Sequence, residues 1–256
     1  MMTDKVLYEE LTPNEFLERL LDLPVAYLPL GTLEWHGVQL PLGADGLQSQ
    51  GFFKKVAAKR GGIVLPALFL GPDTHTEIDG VAYYGMEFLT CRSDYLAEQI
   101  GGEDAGPMRL PGSAYHVSDE FFMKLLDSIM WNLARAGFKM VAAHGHGPST
   151  KAARENAARW EAEYGLKVVT CWFFDEPDKG LLVDHAGMNE TSITMYLRGD
   201  LVDMSAHTRN KDTWAPKSVY HPSNATKEIG RQIVELNTQA LIRKIDEVFG
   251  ENRENK

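Results

Sequence analysis

Cysteine is nearly absent from this chain. Cys91 and Cys171 are the two among 256 residues, and neither belongs to a Cys-x-x-Cys pair. That argues against a disulfide framework and predicts free, partly buried thiols in a reducing cytoplasm. Long apolar runs are missing as well. None approaches the roughly 20 residues that span a bilayer, and the polar N-terminus has no apolar run of signal length. Basic residues are in deficit, 26 against 36 acidic ones for a net charge of −10, which argues against a nucleic acid or an anionic membrane as partner. No internal repeat or low-complexity segment occurs. The length is at the upper end for one domain and sufficient for a large core, so residues 1–256 read as a single domain.

The pattern that is present alternates strands and helices. Thr12, Pro13 and Glu15 form a capping box with proline at the favoured position, ahead of an apolar stripe of Phe16, Leu17, Leu20 and Leu21. Residues 25–30 form a short apolar run of buried-strand type, and a helix from Asp45 to about Arg60 stops at Gly61-Gly62. Further strands are expected at 63–70, 139–143 and 167–174. Further helices are expected from Ser118 to Gly137, over 149–164, over 187–197 and over 226–249, with a charged tail after Gly250. This alternation implies an α/β fold with a mostly parallel central sheet and helices on both faces. Residues 71–118 are the least regular part, rich in Gly, Asp and aromatics, and read as a lid or an oligomer contact.

The chemistry-bearing residues fall where strands end. After the first strand come Glu34-Trp35-His36 and then Asp45. A carboxylate and an imidazole two residues apart on an extended segment project to one side, a pairing that suits a metal ion. After the third strand come His144-Gly145-His146-Gly147-Pro148. After the fourth come Asp184-His185 and, within the following helix, Glu190. Each alone has a bland account: Asp45 as an N-cap, a glycine-flanked histidine as a solvated loop residue. Three clusters at the carboxyl ends of parallel strands, where α/β proteins bind ligands, converge on one edge. His75, in Asp73-Thr-His-Thr-Glu77, reads as a surface loop residue.

The stretch Gly31-Thr-Leu-Glu34-Trp-His36-Gly-Val-Gln-Leu-Pro41-Leu-Gly-Ala-Asp45 resembles the signature of the creatininase (creatinine amidohydrolase) family, Gly-Ser/Thr-x-Glu-x-His-Gly-x-x-Leu-Pro-x-Gly-x-Asp. His144-Gly-His146-Gly is similar to that family's Asn-Gly-His-Gly block, and His185-Ala-Gly-x-x-Glu190-Thr-Ser matches a third block in the same order. The resemblance runs over roughly residues 8 to 200. It implies a three-layer α/β/α fold and one or two divalent ions. Glu34, His36, Asp45 and His146 correspond to ligands, Asp45 in the bridging position, and His185 corresponds to the catalytic histidine. Relatives assemble as homo-oligomers, often hexamers. Two positions depart from the pattern. His144 replaces the usual Asn, and Pro148 stands where the creatinine-cleaving enzyme carries a carboxylate ligand. Glu190 is the candidate for the missing ligand. Asp184 is a candidate to orient His185. His144 is an extra ligand, a substrate contact or a structural residue, and spacing does not separate the three. Histidine and carboxylate ligands without cysteine suit Zn, Mn or Fe.

The expected activity is metal-dependent hydrolysis of a C–N bond in a small cyclic amide or formamide other than creatinine. The alternatives are hydrolysis of a C–C bond or lactone in a small oxidised ring compound, and a non-catalytic metal- or ligand-binding protein.

Overall fold

β1, Val25–Leu30, is buried at all six positions, as a strand sandwiched between two helix layers must be. A computed structural model describes it within residues 3–73, 75–78, 81–84, 114–171, 184–209 and 221–250. β1 pairs in parallel with β2 (Ile63–Val64) on one side and with β5 (Met140–Gly145) on the other. β5 pairs in parallel with β6, Lys167–Thr170. The sheet order is β2-β1-β5-β6, so the chain reverses its direction of travel across the sheet between β1 and β5. A separate antiparallel pair, β3 (His75–Ile78) with β4 (Val81–Tyr84), gives regular structure to part of the segment expected to be irregular. The rest of that segment up to residue 113 lies outside the described residues.

The helices are α1 (Pro13–Asp22), α2 (Ala44–Arg60), α3 (Asp119–Ala136), α4 (Gly147–Tyr164), α5 (Met188–Arg198), α6 (Met204–Arg209) and α7 (Lys227–Phe249). Alternation along the strands sorts them into layers. Val25, Tyr27, Met140 and Ala142 pack with Phe52, Phe53 and Val56 of α2, Ile193 of α5 and Ile233, Leu241 and Ile245 of α7. Ala26, Leu28, Val141 and Ala143 pack against Phe122, Leu126 and Met130 of α3, Trp160 of α4 and, at the margin, Phe16 and Leu20 of α1. This is the expected three-layer α/β/α arrangement. Among the described residues no helix is long and apolar enough to cross a membrane.

Three local expectations change. The strand expected over 63–70 shrinks to two residues. Pro66 has no N–H to give the ladder, although Leu65 and Leu68 still donate to the carbonyls of Tyr27 and Pro29 at 2.8 and 3.0 Å. In α1, Leu17 and Leu21 are 52% and 83% exposed and Arg19 is buried instead. Its guanidinium donates to the Gly62 carbonyl at 2.9 and 3.0 Å and to Thr3 at 3.0 Å, taking up carbonyls past the end of α2 that apolar contact would strand. Asp45 does not cap α2, whose N-cap is Gly43 with no side-chain hydrogen bond. The strand expected to 174 ends at Thr170, with Cys171 in a bend; 172–183 and the tail after 250 lie outside the described residues.

Candidate metal centre

The reversal between β1 and β5 leaves a crevice at their carboxyl ends, where open α/β sheets hold ligands. The two ends are locked together there. The His146 N–H donates to the Leu30 carbonyl at 2.7 Å. Gly145 has φ +137, and a Cβ on it would lie 1.7 Å from that same carbonyl oxygen. Only glycine allows this approach, and it sets His146 beside the loop that leaves β1. That loop closes through the Glu34 N–H to the Leu42 carbonyl at 3.0 Å and Ala44 N–H to Pro41 at 3.0 Å, which returns Asp45 to the same point in the first turn of α2. Glu190 arrives from the first turn of α5.

Three groups of side chains each bring their ligand atoms within 4.8 Å of one another: Glu34, Asp45 and His146; His36, Asp45 and Glu190; and Glu34, His36 and His185. All five expected ligands and His185 therefore meet, and Asp45 is common to the first two groups. His36 Nε2 lies 3.4 Å from Asp45 Oδ2, 3.7 Å from Glu190 Oε1 and 3.8 Å from Glu34 Oε1. His146 Nε2 lies 3.5 Å from Glu34 Oε1. These gaps are too long for good hydrogen bonds, and imidazole and carboxylate donors this close together are of the kind that hold a divalent cation. His36 Nε2 and Asp45 Oδ2 are buried without a hydrogen-bond partner among the described residues. Three clustered carboxylates beside an unpartnered imidazole nitrogen fit a divalent cation and would be costly without one.

The far side of each ring is engaged as ligation requires. His36 Nδ1 lies 3.2 Å from the Glu34 carbonyl, which only accepts, so Nδ1 carries the proton and Nε2 is left facing the carboxylates. His146 Nδ1 lies 3.2 Å from Ser149 Oγ. Ser149 was not anticipated, although its i+3 spacing from His146 is a legible signal.

Burial is the largest influence on each group. It pushes Glu34 and Glu190 up to about 7, with Asp45 adding to both and the His36 charge opposing. It lowers His146 to about 4 against the pull of Asp45, keeping the imidazole neutral. For His36, burial opposes the charge, but Glu190, Asp45 and Glu34 together prevail and hold it well above the ordinary range. Burial likewise works to raise Asp45, yet His36, His146 and His185 outweigh it and keep the carboxyl low.

The remaining candidates lie around this cluster. The His185 ring rests 4.7 Å, centre to centre, from that of His36. Asp184 spends both carboxylate oxygens on the α5 backbone, accepting from Asn189 N at 2.8 Å and Glu190 N at 2.9 Å. His144 belongs to none of the three groups. It faces α2, with Nδ1 2.7 Å from Ser49 Oγ and its ring edge-on to Phe52 and Phe53, and burial lowers it to about 3. His116 pairs with Asp73 at 3.2 Å. His75 lies in β3, and its side chain is outside the described residues. Pro148 sits in the first turn of α4 and offers no oxygen ligand.

Comparisons with known proteins point to one family. The family model described as creatinine amidohydrolase (creatininase) matches residues 9–245. A creatinine amidohydrolase from Pseudomonas putida is 25% identical, the match covering 97% of this chain and 99% of that protein. A glutamate-to-glutamine mutant of creatininase, of Zn–Zn type, superposes with a TM-score of 0.71 at 22% identity over 96% of this chain and 100% of the other. A Mn creatininase gives 0.64 at 23% identity with the same coverage.

Proposed function

Because the chain belongs to the creatininase family, whose members are metal-dependent amidohydrolases, we propose that it hydrolyses a C–N bond, other than a peptide bond, in a small cyclic amide or formamide. The observation that carries this reading is the pair of ligand groups sharing Asp45 with His185 at their edge. A substrate other than creatinine is part of this proposal, because Pro148 stands where the creatinine-cleaving enzyme carries a carboxylate. One or two divalent ions, Zn, Mn or Fe, would be held by Glu34, His36, Asp45, His146 and Glu190. Bound there, they supply an activated water near neutral pH and polarise the carbonyl.

The chain's own residues do the rest. Neutral His146 offers a lone pair with its other nitrogen beside Ser149. The Glu34 carbonyl aligns the ring of His36. His185, beside the cluster, donates the proton that the leaving nitrogen needs, and the turn that carries it is tied to α5 by Asp184.

Metal analysis of purified protein with Glu34→Ala and His36→Ala variants tests the centre. We expect stoichiometric metal in the parent and loss in both variants, and full retention in both would remove the claim. A panel of cyclic amides, formamides, lactones and cyclic diketones then reads the bond class. Turnover of the first two groups supports the proposal, and turnover confined to diketones or lactones replaces it. We read residues 1–256 as one domain of a cytoplasmic homo-oligomer, in keeping with buried Cys171 outside any disulfide. Light scattering at the mass of a monomer would contradict the oligomer.

A further inference from the structure

Among the described residues, Ala186 is the sole non-glycine with positive φ, at 50. That conformation crowds a Cβ against the backbone and persists only where neighbours impose it. It also decides where the preceding residue, His185, sends its ring. The neighbours that impose it can be named. The Ala186 N–H donates to Glu190 Oε2 at 2.5 Å. The Ala186 carbonyl accepts from Gln39 Nε2 at 2.9 Å and from Thr191 Oγ1 at 3.5 Å.

Gln39 is the contact that comes from elsewhere in the chain. It lies in the loop between His36 and Asp45, 147 positions before Ala186, and is 2% exposed. Its second amide hydrogen goes to Thr191 Oγ1 at 3.1 Å. Its backbone carbonyl accepts from Asp203 N at 3.0 Å, so the residue that reaches across is itself anchored. Its Oε1 is buried and meets no donor among the described residues. A buried amide with an unsatisfied acceptor is a poor stabiliser. What it provides is a donor fork of fixed geometry between the loop of Glu34 and His36 and the turn of His185.

We propose that Gln39 is a positioning residue: it holds Ala186 in the left-handed conformation and so keeps His185 over the metal cluster, touching neither metal nor substrate. This rests on the proposed function for the role of His185, while the conformational claim stands on its own. Any loss appears in the proton-delivery step, since the ligand set is unchanged.

The test compares the Zn-loaded parent with Gln39→Met, of similar length but without donors, and with Gln39→Met combined with Ala186→Gly. Glycine enters the left-handed region without the Cβ penalty, so it replaces what Gln39 imposes. The readouts are Zn content, the His185 ring ¹H–¹³C NMR signal and, on any substrate the panel yields, kcat and KM. In Gln39→Met we expect parental Zn content, a shifted or broadened His185 signal, and kcat down about ten- to hundredfold with KM held. The double variant should recover the signal and part of kcat, a non-additive result. An unmoved His185 signal in Zn-loaded Gln39→Met would overturn the proposal. So would loss of Zn and fold in that variant, or a double variant no better than the single. A parent that binds no Zn would instead sink the metal-centre reading.

Discussion

At the scale of single residues, Asp45 belongs to two ligand groups, as Glu34 and His36 do, whereas Glu190 belongs to one. The two substitutions should therefore differ in kind. Asp45→Ala is expected to lose essentially all bound metal. Glu190→Gln should keep a fraction, about half where the parent holds two ions, as read by metal analysis after gel filtration. Equal losses from both would contradict the sharing. Ser49 makes a contrasting case. Its hydroxyl meets His144 Nδ1 at 2.7 Å in a buried pocket of Phe52 and Phe53. Ser49→Ala should lower stability by about 1–2 kcal/mol by stripping a buried polar group of its partner. Metal content should stay unchanged, and urea unfolding beside metal analysis checks both.

Between elements, the close crossing of α5 on α7 sets the position of Glu190. It depends on Gly230, where a Cβ would lie 1.9 Å from the Ser192 carbonyl oxygen. Backbone cannot yield as a side-chain tip can, so Gly230→Ala must push the helices apart. We expect about 1–3 kcal/mol of lost stability, with weaker metal binding because Glu190 moves with α5. Gly199 provides the control: it has right-handed helical angles, and a methyl added there would meet nothing within 4 Å. Gly199→Ala should be neutral or slightly stabilising. Thermal unfolding of the two variants side by side distinguishes a specific contact from a general intolerance of substitution.

For the whole molecule, stability and metal content are linked through pH. Glu34 and Glu190 are pushed up to about 7 from ordinary values of 4.5. A raised folded-state value stabilises the fold below the unfolded value and forfeits that stability as pH climbs through the folded one. The metal-free protein should therefore lose stability between about pH 4.5 and 7 from these groups. Bound metal removes those protons, so its stabilising effect should grow over the same interval. Melting curves from about pH 5 to 8, with and without chelator, check this. A gap between the curves that narrows as pH rises would count against it.

Much of this site is legible along the chain. Glu34, His36 and Asp45 share one loop, and His146, His185 and Glu190 each follow a recognisable strand or open a recognisable helix. The departures came from interactions that spacing does not encode. Leu17 and Leu21 satisfy a helical period, yet α1 gives that face to solvent because Arg19 is needed at the carbonyls beyond α2. Asp45 looks like a cap, and the cluster takes its carboxylate instead.

Local pattern thus determined the α/β alternation, the ends of most helices and the donor types available for a cation, because periodicity and capping act over a few residues. Only the tertiary structure decided that Glu190 completes a group with His36 and Asp45, that His144 turns toward α2, and that Gln39 grips the turn of His185. Those outcomes depend on which strand lies beside which, and they join residues far apart in the chain, 95 positions at Ser49–His144 and 147 at Gln39–Ala186.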